Sequence, residues 1–269
     1  MSQQIIDQKA YLIFDTLESL NLQFRLEASW KLTKNRLHKN RFILAIPRAE
    51  NLSNKFLYFC QKMDMPNKYI EIFQQNLSQA SVVYFGFEGN EVSCIYKVYL
   101  EFWDQVVNKI TNKSEPTETT ALLGLGFKWN ALDNTKGVIS TYTCYPLLSV
   151  AGILNRISSI YQGYNHSHPG EIVQELINFA AERVNDNPFI YLEVSEENNP
   201  RKSFDLNFYQ ANIPLQDIEH YLGKIRQHYE INAHSFNYFY QQIGSKNLGH
   251  LSGGIDRQGK DFLTIYYEV

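Results

Sequence analysis

Polar and apolar residues alternate along this chain in paired short runs, and between the pairs the apolar residues recur at helical spacing. In the segment 93–102, Ser93, Ile95, Lys97, Tyr99 and Glu101 alternate with Cys94, Tyr96, Val98, Leu100 and Phe102. Successive side chains of a strand point to opposite faces, so Lys97, Tyr99 and Glu101 share one side. The same reading puts Arg25, Glu27, Ser29 and Lys31 opposite Phe24, Leu26, Ala28 and Trp30. It puts Ser203, Asp205, Asn207 and Tyr209 opposite Phe204, Leu206 and Phe208, and Phe262, Thr264 and Tyr266 opposite Leu263, Ile265 and Tyr267. Tyr191 and Glu193 are expected on a polar face, with Ile190, Leu192 and Val194 behind them.

Hairpins are therefore predicted near 23–47, 82–103, 122–146, 189–210 and 249–268, and helices near 3–20, 52–78, 104–112, 147–162, 170–185 and 214–230. Ile6, Ala10, Ile13, Leu17 and Leu20 form one apolar stripe, and Leu215, Ile218, Leu222, Ile225 and Tyr229 form another after a helix-starting Pro214. Reversals are expected at Glu88-Gly89-Asn90, at Asp133 to Gly137, at Glu197 to Pro200 and at Asp256 to Gly259. The best linker runs from Thr111 to Thr120, but the unit recurs on both sides of it, so a single domain over 1–269 is expected.

Two strands and a helix, repeated five times, give ten antiparallel strands with a polar face on one side and helices on the other. The fold class is α+β. An open sheet with its polar side wetted would show the same alternation. Closure into a barrel is favoured because ten strands approach the limit of an open twisted sheet and closure removes its edges. About eight strands leave an interior that side chains just fill, so ten leave a cavity whose polar walls need a polar occupant or water.

Composition narrows the class further. The chain has 269 residues, 44% hydrophobic and 20% charged, which suits a globular domain. No run approaches the roughly 18 apolar residues of a membrane span, and the polar start, Met1 to Gln4, lacks a secretory signal, so a cytoplasmic protein without membrane partners is expected. A net charge of -3 argues against nucleic acid as a partner. Cys60, Cys94 and Cys144 have neither disulfide nor zinc-knuckle spacing. His166-Ser167-His168 reads as a loop rather than a metal site, and Gly253-Gly254 as a bulge or close approach rather than a phosphate loop. Aromatic residues make up 14% of the chain, 18 of them Tyr, which asks for an explanation.

The run Leu26-Glu27-Ala28-Ser29-Trp30-Lys31, followed by Asn40-Arg41-Phe42, resembles the first hairpin of the dimethylallyltryptophan synthase type of aromatic prenyltransferase. Lys97-Val98-Tyr99 resembles that family's Lys-x-Tyr motif, and Gly259 to Tyr267 is similar to its last strand. The resemblance implies the ABBA fold of repeated αββα units, a ten-stranded antiparallel barrel ringed by helices. Inside it a prenyl diphosphate and an aromatic small molecule, an indole, would react. Arg41 and Lys97 are then diphosphate ligands, because cations must stabilise the leaving anion in a water-shielded site; Lys128, beside Trp129, is either a third such charge or a solvated surface cation.

Tyr99, Tyr142, Tyr191, Tyr209 and Tyr266 are the aromatic shield, whose ring faces steady a carbocation without capturing it. Glu27 is matched to the glutamate that binds the indole nitrogen and helps remove the ring proton. Its other reading is an ion pair with Arg25, Lys31 or Arg41. Where the family carries Arg-x-Lys-x-Tyr in the third hairpin, this chain has Val138-Ile139-Ser140-Thr141-Tyr142, and a tyrosine of the last strand is replaced by Phe262. No cofactor is required on this reading. Mg²⁺ is a possible auxiliary, with Glu101, Glu193 and Asp205 as oxygen ligands. The alternative is a noncatalytic barrel that binds or carries an aromatic or isoprenoid molecule.

Overall fold

The computed structural model describes residues 2–111, 120–164, 168–184 and 189–269. Its elements are α1 (Gln3–Ser19), β1 (Arg25–Thr33), β2 (Arg36–His38), β3 (Asn40–Pro47), α2 (Ser53–Lys62), α3 (Asn67–Leu77), β4 (Val82–Gly89), β5 (Cys94–Glu101) and α4 (Trp103–Thr111). There follow β6 (Ala121–Asn130), β7 (Asp133–Cys144), α5 (Val150–Ile160), α6 (Gly170–Ala181), β8 (Ile190–Glu196), β9 (Lys202–Asn207), α7 (Glu219–His228), α8 (Ala233–Ile243), β10 (Leu248–Ile255) and β11 (Asp261–Glu268). The strands join in the order β11-β10-β9-β8-β7-β6-β5-β4-β3-β1-β2, and β11 also pairs with β1. With β2 as a short flap on β1, ten strands close into an antiparallel barrel, as the alternation predicted.

The described residues form two compact units, one of residues 2–27, 40–111 and 121–142, the other of 28–39, 120, 143–164, 168–184 and 189–269. The first unit buries the apolar face of β3 to β6 under α1, α2 and α3. Leu44, Val83, Phe85, Val98, Leu100 and Phe127 are fully buried there with Phe56, Phe59 and Phe73. Phe59 and Phe85 have ring centroids 3.8 Å apart. Trp129 donates from Nε1 to the Met63 carbonyl at 3.0 Å, so this buried indole loses no hydrogen bond. In the second unit Trp30, Phe204, Leu206, Leu251, Leu263 and Ile265 pack under helices α5 to α8. The edges of Phe236 and Phe239 meet the Trp30 ring at 5.5 and 4.9 Å.

Several boundaries differ from the sequence reading. The helix expected over 52–78 is two, α2 and α3, because Pro66 stands at the start of the second and cannot continue the first. The segment 214–230 opens with a 3-10 turn, Leu215–Ile218, before α7. Helix α8 was not expected; its side chains carry no Asp, Glu, Lys or Arg to mark a solvent face, yet Asn232 caps it by accepting from the Ser235 amide at 3.0 Å. Asp133 does not open a reversal but begins β7. The chain turns at Ala131-Leu132, where Asn130 Oδ1 accepts from the Leu132 amide at 2.8 Å. The Thr111 to Thr120 linker and the His166-Ser167 pair lie largely outside the described residues. No helix among the described residues is long and apolar enough to cross a membrane.

Candidate functional site

In the first unit, strand register decides which side chains share the polar face. Arg41 on β3 stands opposite Glu88 on β4, Gly86 opposite Lys97 on β5, and Lys97 opposite Lys128 on β6. Cross-strand partners lie on the same face, so Arg41, Lys97 and Lys128 are gathered on one patch of sheet. Burial agrees: Arg41 is 6% exposed and Lys128 9%, while the Lys97 side chain is 12% exposed. Three cations this far from water need anionic or polar partners.

Glu88 is the partner of two of them. Its Oε2 forms an ion pair with Arg41 Nη1 and accepts from Lys97 Nζ at 2.7 Å. Lys128 donates from Nζ to Ser140 Oγ at 2.9 Å. Ser140 occupies the central position of Val138 to Tyr142, where the resemblance led us to expect a lysine. The ammonium missing from β7 is thus supplied at that place by the neighbouring strand. Two lysines directly opposite each other destabilise a sheet. Here Lys97 Nζ donates to Glu88 and Lys128 Nζ to Ser140.

Beside the cations lies an aromatic pair. Tyr99 and Tyr142 meet edge to face with centroids 5.7 Å apart, and Lys128 Nζ is 6.0 Å from the Tyr142 centroid. Gly126, opposite Tyr99 on β6, makes room for it: a Cβ there would lie 2.8 Å from the Tyr99 ring and 3.0 Å from Tyr142. Further along the same face Tyr84 donates to Glu101 Oε2 at 2.9 Å. Burial, and after it the charges of Glu101 and Glu27, push the Tyr84 hydroxyl well above its ordinary value, against a smaller opposing effect of Arg25, so it stays a donor. Glu27 therefore acts electrostatically on the Tyr84–Glu101 pair, at the start of β1.

In the second unit, the polar face of β9, β10 and β11 carries a different set. Asp205 Oδ1 and His250 Nδ1 are 2.8 Å apart, and the His250 ring is edge-on to Tyr209 at 5.2 Å and Tyr266 at 5.9 Å. Phe262, where a tyrosine was expected, has Lys31 Nζ 4.7 Å and the Arg201 guanidinium 5.5 Å from its ring centroid. Tyr209 is not on strand β9, which ends at Asn207. It sits in a 3-10 turn, because Asn207 Oδ1 accepts from the Tyr209 amide at 3.0 Å and bends the chain out of the ladder.

Tyr191 is on the opposite face from that expected. It pairs with Leu206 and is fully buried in the helix-packed core, its ring parallel to Phe204 at 6.5 Å. Its hydroxyl donates to Glu193 Oε1 at 3.1 Å, and Arg156 of α5 binds the same carboxylate at 2.7 and 3.1 Å. Tyr191 is thus a core residue, removed from the aromatic shield. Glu193 goes with it, and Glu101 and Asp205 are engaged by Tyr84 and His250, so each proposed Mg²⁺ ligand has a separate partner. Among the described residues no three His, Cys, Asp or Glu come together to hold a metal. Glu88 is the residue that sequence reasoning missed. The alternation of Tyr84, Gly86 and Glu88 against Val83, Phe85 and Phe87 is the signal that finds it.

A ten-stranded antiparallel barrel whose paired strands alternate with helices is the fold of the ABBA prenyltransferases. The chain is similar in structure to 5-dimethylallyl tryptophan synthase from Streptomyces coelicolor in complex with DMASPP and Trp. The TM-score is 0.64 at 14% identity, covering 100% of this chain and 90% of that one. Similarity extends to AnaPT from Neosartorya fischeri, with TM-score 0.53, 12% identity and coverage of 91% and 78%. The prenyltransferase PriB, in a ternary complex with L-tryptophan and dimethylallyl thiolodiphosphate, matches with TM-score 0.57, 11% identity and coverage of 91% and 79%. No family model and no curated protein matches the sequence.

Proposed function

We propose that this protein is an aromatic prenyltransferase that moves a dimethylallyl or geranyl group from its allylic diphosphate to an electron-rich aromatic ring, an indole. The observation that carries the reading is the gathering of Arg41, Lys97 and Lys128 from three strands onto one largely buried patch beside the Tyr99–Tyr142 pair. Solved structures of this fold in complex with DMASPP and Trp, or with L-tryptophan and dimethylallyl thiolodiphosphate, support the choice of substrates.

In the reaction, the allylic carbon–oxygen bond breaks and its electron pair leaves with the diphosphate. Arg41 offers a forked contact to that anion, and Lys97 and Lys128 offer point charges. Such preorganised charge lowers the barrier because it acts where negative charge develops. The faces of Tyr99 and Tyr142 stabilise the allylic cation through the ring quadrupole. A ring carbon of the acceptor forms the new carbon–carbon bond and then loses its proton. Glu27 accepts a hydrogen bond from the indole nitrogen, raising electron density in the ring, and serves as the base. In the second unit, Tyr209 and Tyr266 flank His250 and are read as aromatic groups of the same kind. No step in this reading uses a metal. The protein is read as one domain and as cytoplasmic, a compartment where the three buried thiols stay reduced.

The test is mass spectrometry of the protein incubated with dimethylallyl or geranyl diphosphate and a panel of indoles, tyrosine and small phenols. A prenyl mass gain on one acceptor is expected, falling at least about 100-fold in Lys97→Ala, the scale of losing one transition-state charge contact. Binding of a prenyl diphosphate or of the aromatic compound without any transfer across the panel would favour the noncatalytic carrier.

A further inference from the structure

Tyr84 stands on the wall of the candidate site and has no part in the reaction as derived so far. It is directly opposite Tyr99 across β4 and β5, so both rings rise from the same face of the sheet. Its neighbours on that face are small. Gly86, two positions along β4, has no side chain, and Ala45, opposite Tyr84 on β3, offers only a methyl group. Strand β3 separates β4 from β1, which carries Glu27, and the charge of Glu27 reaches the Tyr84 hydroxyl. Among the described residues no donor serves the Tyr84 oxygen, and none serves the Glu27 carboxylate. We propose that Tyr84 binds the aromatic substrate, its oxygen taking a hydrogen bond from an N–H or O–H of that molecule while Glu27 takes another, so that the site selects rings with two polar hydrogens over rings with one. This inference rests on the reading of Glu27 as the group that binds the indole nitrogen.

The direction of the hydroxyl gives the discrimination its physical basis. Tyr84 donates to Glu101 Oε2 at 2.9 Å, and this contact commits its hydrogen whatever else Glu101 meets. What a phenol then offers a ligand is its oxygen lone pairs. Donation to a carboxylate also polarises that oxygen and makes it a stronger acceptor. A ring with a second polar hydrogen replaces the water at Tyr84 with a hydrogen bond. A ring without one strips the oxygen of water and returns nothing, and a buried polar group left unpaired costs more than the bond itself is worth. Sites of this kind therefore reject the analogue that lacks the donor. Indole carries one polar hydrogen, so a hydroxyl or an amine elsewhere on the molecule has to supply the second.

The experiment is calorimetric titration of matched rings into the full chain, with inorganic pyrophosphate present: indole-3-ethanol against 3-ethylindole, and 4- and 5-hydroxyindole against indole. Wild type is expected to bind the hydroxylated member of at least one pair about fivefold more tightly, the ratio for a net hydrogen bond of about 1 kcal/mol. Tyr84→Phe keeps the ring and removes the hydroxyl. In it that ratio is expected to fall by about fivefold, while the affinity for the parent ring changes by less than about twofold. If Tyr84→Phe does not fold because Glu101 has lost a donor, the double variant Tyr84→Phe/Glu101→Gln removes that charge and still lacks the hydroxyl, and the same fall is expected. A wild type without preference, or a ratio that the variant leaves unchanged, overturns the inference. An equal loss of affinity for both members of a pair also overturns it and leaves Tyr84 a part of the wall. In each of these cases prenyl transfer in the mass-spectrometric assay keeps the transferase reading standing. Failure of every ring to bind wild type overturns the aromatic-substrate site and this inference with it.

Discussion

At the scale of single residues, the chemistry is set by who shares a carboxylate. Asp261 is the clearest case outside the candidate site: His228 Nε2 lies 2.7 Å from Oδ2, and the Tyr164 hydroxyl donates to Oδ1 at 3.1 Å. Burial pushes its pKa up. The hydrogen bond and charge of His228, with the hydrogen bond from Tyr164, outweigh this and hold the carboxyl below its ordinary value. A carboxyl depressed in the folded state stabilises it above the unfolded pKa of about 3.9, and this contribution is lost as pH falls through the folded value. Asp261→Asn should therefore cost about 1.5–3 kcal/mol at pH 7, the range for hydrogen bonds to a charged group. That deficit should shrink on acidification, as urea unfolding at pH 7 and pH 3 will show.

Residues also show why part of the site could be read directly. Lys97 and Tyr99 sit in a strand with one wholly apolar face, so alternation assigns them a side without ambiguity. Tyr191 could not be assigned this way, because Leu192 and Val194 on its other side are buried as well, at 8% and 4% exposure. With apolar groups on both faces, the period of two gives no direction. Glu88 escaped because it abuts Gly89-Asn90. A turn signal there hides that the strand carries one more inward carboxylate.

At the scale of elements, strand β6 is a platform. Its Gly126 carries the Tyr99–Tyr142 pair, and an added methyl would overlap the Tyr99 ring at 2.8 Å. Gly126→Ala should displace the pair while leaving Arg41, Lys97 and Lys128 on their strands. Transfer is expected to fall by about 10- to 100-fold, as misplacement by about 1 Å does. Pyrophosphate affinity should change less than threefold by the scale on which tenfold is about 1.4 kcal/mol. Steady-state kinetics beside calorimetry separates the two. The hairpins were legible because their apolar faces are continuous; α8 was not, because Ala233 to Ile243 lacks the charged stripe that marks a surface helix, with Tyr238 62% exposed in its place.

At the scale of the whole molecule, strand β1 contributes Arg25 to Glu27 to one compact unit and Ala28 to Thr33 to the other. A strand shared in this way ties the folding of each unit to a continuous run of backbone. We expect one cooperative transition in urea, with tryptophan fluorescence, reporting Trp129 in the first unit and Trp30 in the second, coincident with far-ultraviolet circular dichroism. Two separated transitions would instead make the units independent domains. Closure of the strand order was within reach of a count of alternating segments. The division into two units was not, because it depends on which distant segments touch.

The three cysteines carry a consequence of another kind. All are buried, Cys60 and Cys94 in the first unit and Cys144 in the second, and burial pushes the Cys60 thiol far from ionisation. Since only the thiolate attacks a disulfide reagent, modification has to wait for the surrounding structure to open. The chain thus contains its own stopwatch. The pace at which each sulfur is alkylated measures how often its neighbourhood breathes, without adding any probe to the protein.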